Sequence, residues 1–196
     1  MKRSILISAL LTLLLGTVYV ACQYNVTDKV VVAKPEFDSM LVKRGQYLVM
    51  TNVCDDCHSP KRIGPDGPEI IPELRLSGFR QDAKVPAIDT SMIKKGWTLF
   101  NEDFTSAVGA WGQSFAANLT SDETGIGNWK EEQFIKALRE GKLKGLDGTR
   151  PILPPMPWPQ FKNLQDEDLK AIFAYLKTTR PVKNAVPQPV AFSDLK

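Results

Sequence analysis

The chain has few of the residues that most often bind metals or act in acid–base catalysis. It contains one histidine, His58, and three cysteines among 196 residues. A closed zinc site needs four cysteine or histidine ligands, and past Cys22 the sequence offers three. No second histidine is present to act as the acid–base residue of peroxidase-type chemistry. No internal repeat is visible, and 25 basic residues against 22 acidic ones give no strong basic field. We therefore expect no nucleic-acid partner.

An apolar run at the N-terminus predicts export. The run covers 5–20, follows two basic residues and is rather short for a transmembrane helix, which is the pattern of a signal peptide. Cys22 follows it directly after a small residue, as in a bacterial lipobox, although Tyr19 stands where leucine is usual. We predict a lipoprotein-type signal peptide over 1–21 and lipid attachment at Cys22. An uncleaved membrane anchor is the alternative.

Either form of the N-terminus predicts an extracytoplasmic, periplasmic location on a membrane surface. Cleavage before Cys22 would leave 175 residues, enough for one domain with a sizeable core. Two of the 25 basic residues would leave with the signal, so 23 would face 22 acidic residues, a formal charge of about +1.

The one histidine completes a short motif, because positions 54–58 have the sequence Cys-Asp-Asp-Cys-His. This C-x-x-C-H is the signature of covalent haem attachment. The thiols of Cys54 and Cys57 can each add to one vinyl group of the same haem, and His58 is then carried under the iron as the proximal ligand. The motif predicts haem c as the cofactor, and the lone histidine limits the chain to one haem bound in this way.

Other uses of this motif fit the sequence less well. A thioredoxin-like redox pair follows a strand in a βαβ unit, whereas this motif follows a helix-like segment and no βαβ alternation is present. A structural disulfide between Cys54 and Cys57 would close a very small loop and leave His58 unexplained. The export signal agrees with haem attachment, which in bacteria takes place outside the cytoplasm.

Helical patterns stand before the motif and near the end of the chain. Asp38 predicts the N-cap of a helix that runs to about Val53, with Gly45 allowing close contact with another helix. A closing helix is predicted over about 165–178, and Pro181 ends it. Its apolar i, i+3, i+4, i+7 stripe consists of Leu169, Ile172, Phe173 and Leu176.

The region between these helices is less regular. Proline and glycine turn signals over 59–88 predict an irregular loop that wraps a cofactor edge. Aromatic residues over 97–119 predict a short β-hairpin. Asn128 and Glu131 form a capping-box pattern, which predicts a helix that ends near Glu140.

A helix before C-x-x-C-H, irregular loops and a closing helix are the plan of a class I cytochrome c, and the chain resembles that family over roughly 40–180. It is similar to the haem modules of the cytochrome subunits that serve membrane-bound bacterial alcohol and aldehyde dehydrogenases. Those subunits usually carry several haem modules, and this chain has one C-x-x-C-H. The segments that carry the resemblance are 118–129, 134–141, Pro155-Met156-Pro157 and 166–176.

The resemblance implies a mainly α fold, with class I cytochrome helices around one covalent haem and long irregular loops. We place the cytochrome c domain at 38–181. A membrane tether over 22–37 precedes it, and an extended tail over 182–196 follows it.

The sixth iron ligand has to be something other than histidine, and methionine is the usual choice. Met40 and Met50 lie on the predicted helix that leads into the motif, so they belong to the proximal side. Met92 and Met156 remain, and Met156 stands in the proline-rich, stiff segment 151–159. The resemblance implies Met156, because the family places its axial methionine in a matching Met-Pro context. Met92 and an open sixth position are the alternatives.

Two further contacts are expected by the same resemblance. Metal-bound histidines usually donate their second ring N–H to an acceptor, and the resemblance implies a backbone carbonyl near Pro65 or Pro68 as the partner of His58. An ordinary turn is the alternative for these prolines. The first and last helices of class I cytochromes touch, which places Gly45 against Tyr175 or Phe173.

Ligation by His58 and Met156 would leave the iron no open position for a substrate. The expected role is then outer-sphere electron transfer, so the protein is predicted to be an electron carrier that serves redox partner proteins, and not an enzyme. A haem subunit held in a membrane-bound dehydrogenase or oxidase complex is one alternative, supported by the Trp-rich insertion over 97–129. A haem enzyme or gas sensor with an open sixth site is another.

Overall fold

The computed structural model describes residues 36–85 and 87–195. The predicted signal peptide, the predicted lipidation site Cys22 and most of the predicted tether lie outside these residues. Among the helices of the described part, none combines the length and the apolar character needed to cross a membrane.

Six α-helices and two small antiparallel sheets form the described part of the chain. The domain therefore mixes helices with some strand, and the prediction of a mainly α fold holds only in part. The helices are α1 (Ser39–Thr51), α2 (Cys54–His58), α3 (Thr90–Lys94), α4 (Glu131–Glu140), α5 (Trp158–Phe161) and α6 (Asp166–Thr178). The strands are β1 (Lys61–Gly64) and β2 (Gly67–Ile70) in one sheet, and β3 (Leu99–Phe100), β4 (Ser106–Gly109) and β5 (Gly112–Phe115) in the other.

The helix before the motif begins where the sequence predicts. The Asp38 carboxylate accepts hydrogen bonds from the backbone N–H groups of Met40, at 2.6 Å, and Leu41, at 3.4 Å. This pairs two of the N–H groups that the first turn of α1 leaves without a helical partner.

The first and last long helices, α1 and α6, pack directly on each other. Gly45 lies against the backbone carbonyl of Ala171, and a Cβ added at Gly45 would stand 2.8 Å from the Cβ of Tyr175. The predicted contact between Gly45 and the closing helix is confirmed, with Tyr175 as the neighbour.

A hydrophobic core forms around α6. All four residues of the predicted apolar stripe are buried. The centroids of the Phe134 ring on α4 and the Phe173 ring on α6 lie 5.5 Å apart. The buried core members on the three long helices are Leu48, Val49, Phe134, Leu138, Leu169, Ala171, Ile172, Phe173, Tyr175 and Leu176.

The predicted helix α4 is present, but its predicted cap is not. Lys130 occupies the N-cap position without a side-chain hydrogen bond, so the Asn128–Glu131 capping box is wrong. Asn128 stands two residues before the cap, and acidic side chains in the first turn interact favourably with the helix dipole instead. The helix ends at Gly141, whose φ of 64° is the left-handed conformation that glycine adopts without strain.

The segment 59–88 is more regular than predicted. It contains the β1–β2 hairpin, in which Lys61 pairs with Ile70 and Gly64 pairs with Gly67. Both strands of a two-stranded sheet are edge strands, so Pro68 is tolerated in β2. The proline and glycine content that predicted an irregular loop here belongs largely to the hairpin turn and its edges.

The hairpin predicted in 97–119 is confirmed as β4–β5, and β3 adds a third strand to it. The end of the chain packs on the same sheet, because Gln113 and Val190 exchange backbone hydrogen bonds of 2.8 and 3.0 Å. The segment 182–195 thus lies against the domain and not apart from it.

Candidate functional site

The helix α2 is little more than one turn and carries the whole C-x-x-C-H motif. Residues three positions apart lie on one side of a helix, so Cys54 and Cys57 face the same direction. Their sulfurs are not bonded to each other. Among the described residues, no group of three or more histidine, cysteine, aspartate or glutamate side chains is gathered to hold a metal ion.

His58 is buried, with 8% of its surface exposed, and its ring is held by one hydrogen bond. The Nδ1 atom lies 2.7 Å from the carbonyl oxygen of Ala117. A carbonyl only accepts, so Nδ1 carries the proton and Nε2 keeps its lone pair. Burial lowers the pKa of His58 below its usual value, and the Ala117 carbonyl opposes this shift. Burial thus favours the neutral imidazole, which is the form that binds a metal.

The predicted histidine partner near Pro65 or Pro68 is wrong, because the carbonyl that holds His58 belongs to Ala117, 59 residues along the chain. The prolines lie in or beside the β1–β2 hairpin. Any residue can supply a backbone carbonyl, so no pattern in the sequence marks Ala117 for this task.

The surroundings of the two thiols disfavour the thiolate form. Burial is the main cause that raises the pKa of Cys54 to about 12, and the neighbouring Asp55 raises it further. Burial also raises the pKa of Cys57. Thioredoxin-like cysteines instead have lowered pKa values that favour the thiolate, so the environment of this pair argues against a thiol redox function.

Asp55, inside the motif, anchors α2 through a partly buried network of hydrogen bonds. Arg75 donates two hydrogen bonds to its carboxylate, from Nε at 2.9 Å and from Nη2 at 2.7 Å. The third contact of Arg75 is a 2.7 Å bond to the hydroxyl oxygen of Tyr175 on α6. On the other side, the Ser59 hydroxyl donates to Asp55 at 2.6 Å and accepts from the N–H of Leu76 at 2.9 Å. The network joins the motif to the loop after β2 and to the closing helix.

Lys61 holds the opposite end of α2. Its ammonium group donates to the backbone carbonyls of Asp56 at 2.6 Å, Ser59 at 2.9 Å, Asp103 at 3.1 Å and Asp55 at 3.3 Å. A cation at this position pairs with the carbonyls that a helix leaves open at its C-terminus. It also ties α2 to the loop between β3 and β4.

The side chain of Ser77 carries a buried hydroxyl. The Ser77 Oγ atom has no hydrogen bond within the part of the chain that the structure describes. Its neighbour Gly78 donates its N–H to the His58 carbonyl at 2.8 Å, which places this segment beside the histidine. Buried polar groups are normally paired, and within the described residues this hydroxyl is not. The two thiols, the Nε2 atom of His58 and this hydroxyl together fit a haem c.

The structure places the methionines in different environments. Met40 and Met50 are exposed on α1, and Met92 lies in α3. Met156 is partly buried and packs against the hydrophobic core. The segment that carries it is held to β5 by a 2.6 Å hydrogen bond from the Ser114 hydroxyl to the Pro154 carbonyl. Iron ligation by Met156 stays a prediction.

Comparisons with known proteins agree with this site. A family model described as cytochrome c matches residues 42–180. One of the subunits of the nicotinate dehydrogenase of Pseudomonas putida is 40% identical over 152 residues, which are 77% of this chain and 10% of that protein. The fructose dehydrogenase cytochrome subunit of Gluconobacter japonicus is 31% identical over 157 residues, 78% of this chain and 25% of that protein.

A third relative is the cytochrome c subunit of the quinone alcohol dehydrogenase of Gluconobacter oxydans, which is 31% identical over 139 residues. This match covers 70% of the chain and 21% of that subunit. The chain therefore spans at most a quarter of the length of these three relatives.

Proposed function

Because this chain belongs to the cytochrome c family, we propose that it is an extracytoplasmic electron carrier with one covalently bound haem c. Cys54 and Cys57 hold the haem through thioether bonds, and His58 is the proximal ligand of the iron. When bound, the haem supplies reversible one-electron Fe(III)/Fe(II) chemistry.

The hydrogen bond from His58 Nδ1 to the Ala117 carbonyl carries this proposal. It fixes the ring and the tautomer, so that Nε2 is available as a ligand. It also raises the basicity of the imidazole toward a metal. A buried histidine with this geometry, at the end of a complete C-x-x-C-H, is what a proximal haem ligand requires.

Met156 is proposed as the second axial ligand. Its proline-flanked segment has restricted backbone freedom, and its partly buried thioether lies at the hydrophobic core. Methionine ligation together with an apolar surrounding raises the reduction potential of a haem. It also closes the coordination sphere, which limits the protein to outer-sphere electron exchange with redox partners.

A second candidate function is that of a haem-bearing subunit of a dehydrogenase. The three relatives are by name subunits of dehydrogenases. This chain would then be the haem-bearing part of a larger membrane-bound assembly, held there by the Cys22 lipid or by an uncleaved anchor. Recovery of a dehydrogenase in constant proportion after detergent extraction and affinity purification favours this function, and recovery of the chain alone favours a mobile carrier.

Oxidised and reduced absorption spectra of the protein from a haem-attaching host test the main proposal. We expect a low-spin c-type spectrum with the weak red Fe(III)–methionine charge-transfer band. The variant Met156→Ala should keep the haem, lose this band completely and have a lower potential, because the thioether ligand is gone.

The matched control is Met92→Ala, which should leave the charge-transfer band and the reduction potential unchanged. Unaltered coordination in Met156→Ala would contradict the ligand assignment. A high-spin spectrum of the unmodified protein would favour the open-site enzyme or gas sensor, and a lack of covalent haem would overturn the carrier proposal.

A further inference from the structure

A charged pair is built into the haem-binding motif itself. Asp55 follows Cys54 directly, and only 14% of its side chain is exposed. Arg75 comes from outside the motif, is 32% exposed and meets the carboxylate through two parallel hydrogen bonds. This bidentate geometry is the most specific arrangement that an arginine and a carboxylate form.

The pair lies beside the residues that hold the haem, because Asp55 follows Cys54 directly and stands three positions before His58. Burial is the largest cause of the raised pKa of Cys54, and there Asp55 adds to the shift while Arg75 opposes it. Burial lowers the pKa of His58, and Asp55 acts against that shift. A carboxylate at this place favours positive charge nearby, and a guanidinium disfavours it.

An electron-transfer site is sensitive to such charges, because ferric haem carries one more positive charge than ferrous haem. A lone Asp55 carboxylate would stabilise the oxidised form and lower the reduction potential, since net charge and local polarity set the potential of buried iron centres. The positive charge of the Arg75 guanidinium offsets the negative charge of that carboxylate at short range. The Tyr175 hydroxyl, 2.7 Å from Nη1, holds the guanidinium from the side of α6.

We propose that Arg75 is a positioning residue of the haem site, which keeps the reduction potential high by compensating the charge of Asp55. The proposal rests on the electron-carrier function. Its structural basis is the chain of contacts from Cys54 through Asp55 and Arg75 to Tyr175.

The fold offers a matched control pair. Arg44 and Asp168 join α1 to α6 through the same kind of bidentate contact, with bonds of 2.9 and 3.3 Å. The Arg44 side chain is 51% exposed. In the described structure, its charge is not among the causes that shift the pKa of Cys54 or His58.

The test is a spectroelectrochemical titration of the haem-loaded full chain at one pH and one ionic strength. We expect Arg75→Gln to lower the midpoint potential and Asp55→Asn to raise it. Each change should shift the Fe(III)/Fe(II) ratio by about threefold or more, which is about 28 mV at 59 mV per tenfold for one electron.

Three further variants separate charge from structure. The double variant Asp55→Asn, Arg75→Gln should return close to the original potential, because a neutral amide pair replaces the charged one. Arg75→Lys keeps the charge and should lower the potential less than Arg75→Gln. Tyr175→Phe removes a hydroxyl that holds the guanidinium but no charge, so it should shift the potential less than Arg75→Gln does.

The control Arg44→Gln should leave the potential unchanged. Equal shifts in Arg44→Gln and Arg75→Gln, or no shift in either, would overturn the inference while the carrier function stands. An unmodified protein without a reversible one-electron couple would refute the carrier function itself. If Arg75→Gln does not fold, Asp55→Asn decides alone, since a raised potential supports the inference and an unchanged one overturns it.

Discussion

Gly45 shows how a single residue fixes the position of a helix in this molecule. A Cβ at Gly45 would overlap the backbone carbonyl of Ala171 and press on the Cβ of Tyr175. Backbone atoms cannot move aside as the end of a flexible side chain can, so α1 and α6 keep this close approach only with glycine. The contact also supports the haem site, because Tyr175 binds Arg75.

We expect Gly45→Ala to lower the free energy of unfolding by about 1–3 kcal/mol, the usual cost of overpacking. This loss should outweigh the gain of about 1 kcal/mol in helix propensity. Denaturant unfolding of the haem-loaded protein measures the change. The control is Gln46→Ala at the next, exposed position, which should stay within about 0.5 kcal/mol. An unchanged or higher stability of Gly45→Ala would show that the helices can separate at low cost.

At the residue scale, the sequence predicts side chains with distinctive chemistry better than their partners. The capping role of Asp38 and the contact of Gly45 are confirmed, because each depends on the residue type itself. The partner of His58 was missed, since a backbone carbonyl such as that of Ala117 has no signature.

The element that matters most for function is α2, and it is too short to be stable alone. One turn of helix forms few hydrogen bonds for the backbone freedom that it loses. Asp55 and Lys61 compensate by tying its two ends to other parts of the fold. The C-x-x-C-H geometry therefore depends on side-chain contacts beyond the motif.

We expect Lys61→Met to lower the free energy of unfolding by about 1–3 kcal/mol. The reason is that carbonyl groups which now accept hydrogen bonds from the ammonium group would lose their donor. Chemical denaturation of the haem-loaded protein measures the loss. Lys94→Met is the matched control, since Lys94 is exposed in the last turn of α3 and its loss should cost less than about 0.5 kcal/mol. Equal costs for the two variants would show that Lys61 is an ordinary surface lysine.

Among the elements, helices with a clear apolar period were predicted well. α6 and its buried stripe are as expected, because the period of 3.6 residues is a local property. The β1–β2 hairpin was missed in 59–88, and α3 was not predicted. Short elements rich in proline and glycine leave no period long enough to detect.

At the scale of the whole molecule, the C-terminal segment is joined to residues 77–81 by hydrogen bonds. Asn184 is buried and donates from its amide to the carbonyls of Ser77, at 2.7 Å, and Phe79, at 2.9 Å. Its side-chain oxygen accepts from the N–H of Gln81 at 2.9 Å. One side chain thus fastens the tail to the segment that also contacts His58 through Gly78.

We expect Asn184→Ala to lower the free energy of unfolding by about 2–3 kcal/mol, because three backbone groups, two of them in buried hydrogen bonds, lose their partner at once. Denaturant unfolding with and without attached haem measures the loss. Asn163→Ala is the matched control, since Asn163 is exposed and its side chain donates a weak hydrogen bond of 3.3 Å to the Pro159 carbonyl. A similar small cost for both variants would show that the tail contributes little to the fold.

The sequence by itself determined the haem-binding motif, the long helices with their buried faces and the β4–β5 hairpin. These features depend on residue type and on spacing within a few positions, so local patterns reveal them. Met156 and Cys22 also come from local patterns, and their roles stay predictions.

Only the tertiary structure decided what surrounds the motif. Ala117 holds His58 from 59 residues away, and Arg75 meets Tyr175 from 100 residues away. Asn184 fastens the tail to residues more than 100 positions earlier. Such pairs form because packing of the helices brings together backbone and side-chain atoms that are distant in the sequence. The spacing of residues along the chain does not predict these contacts. The physical environment of the haem is therefore a property of the folded molecule.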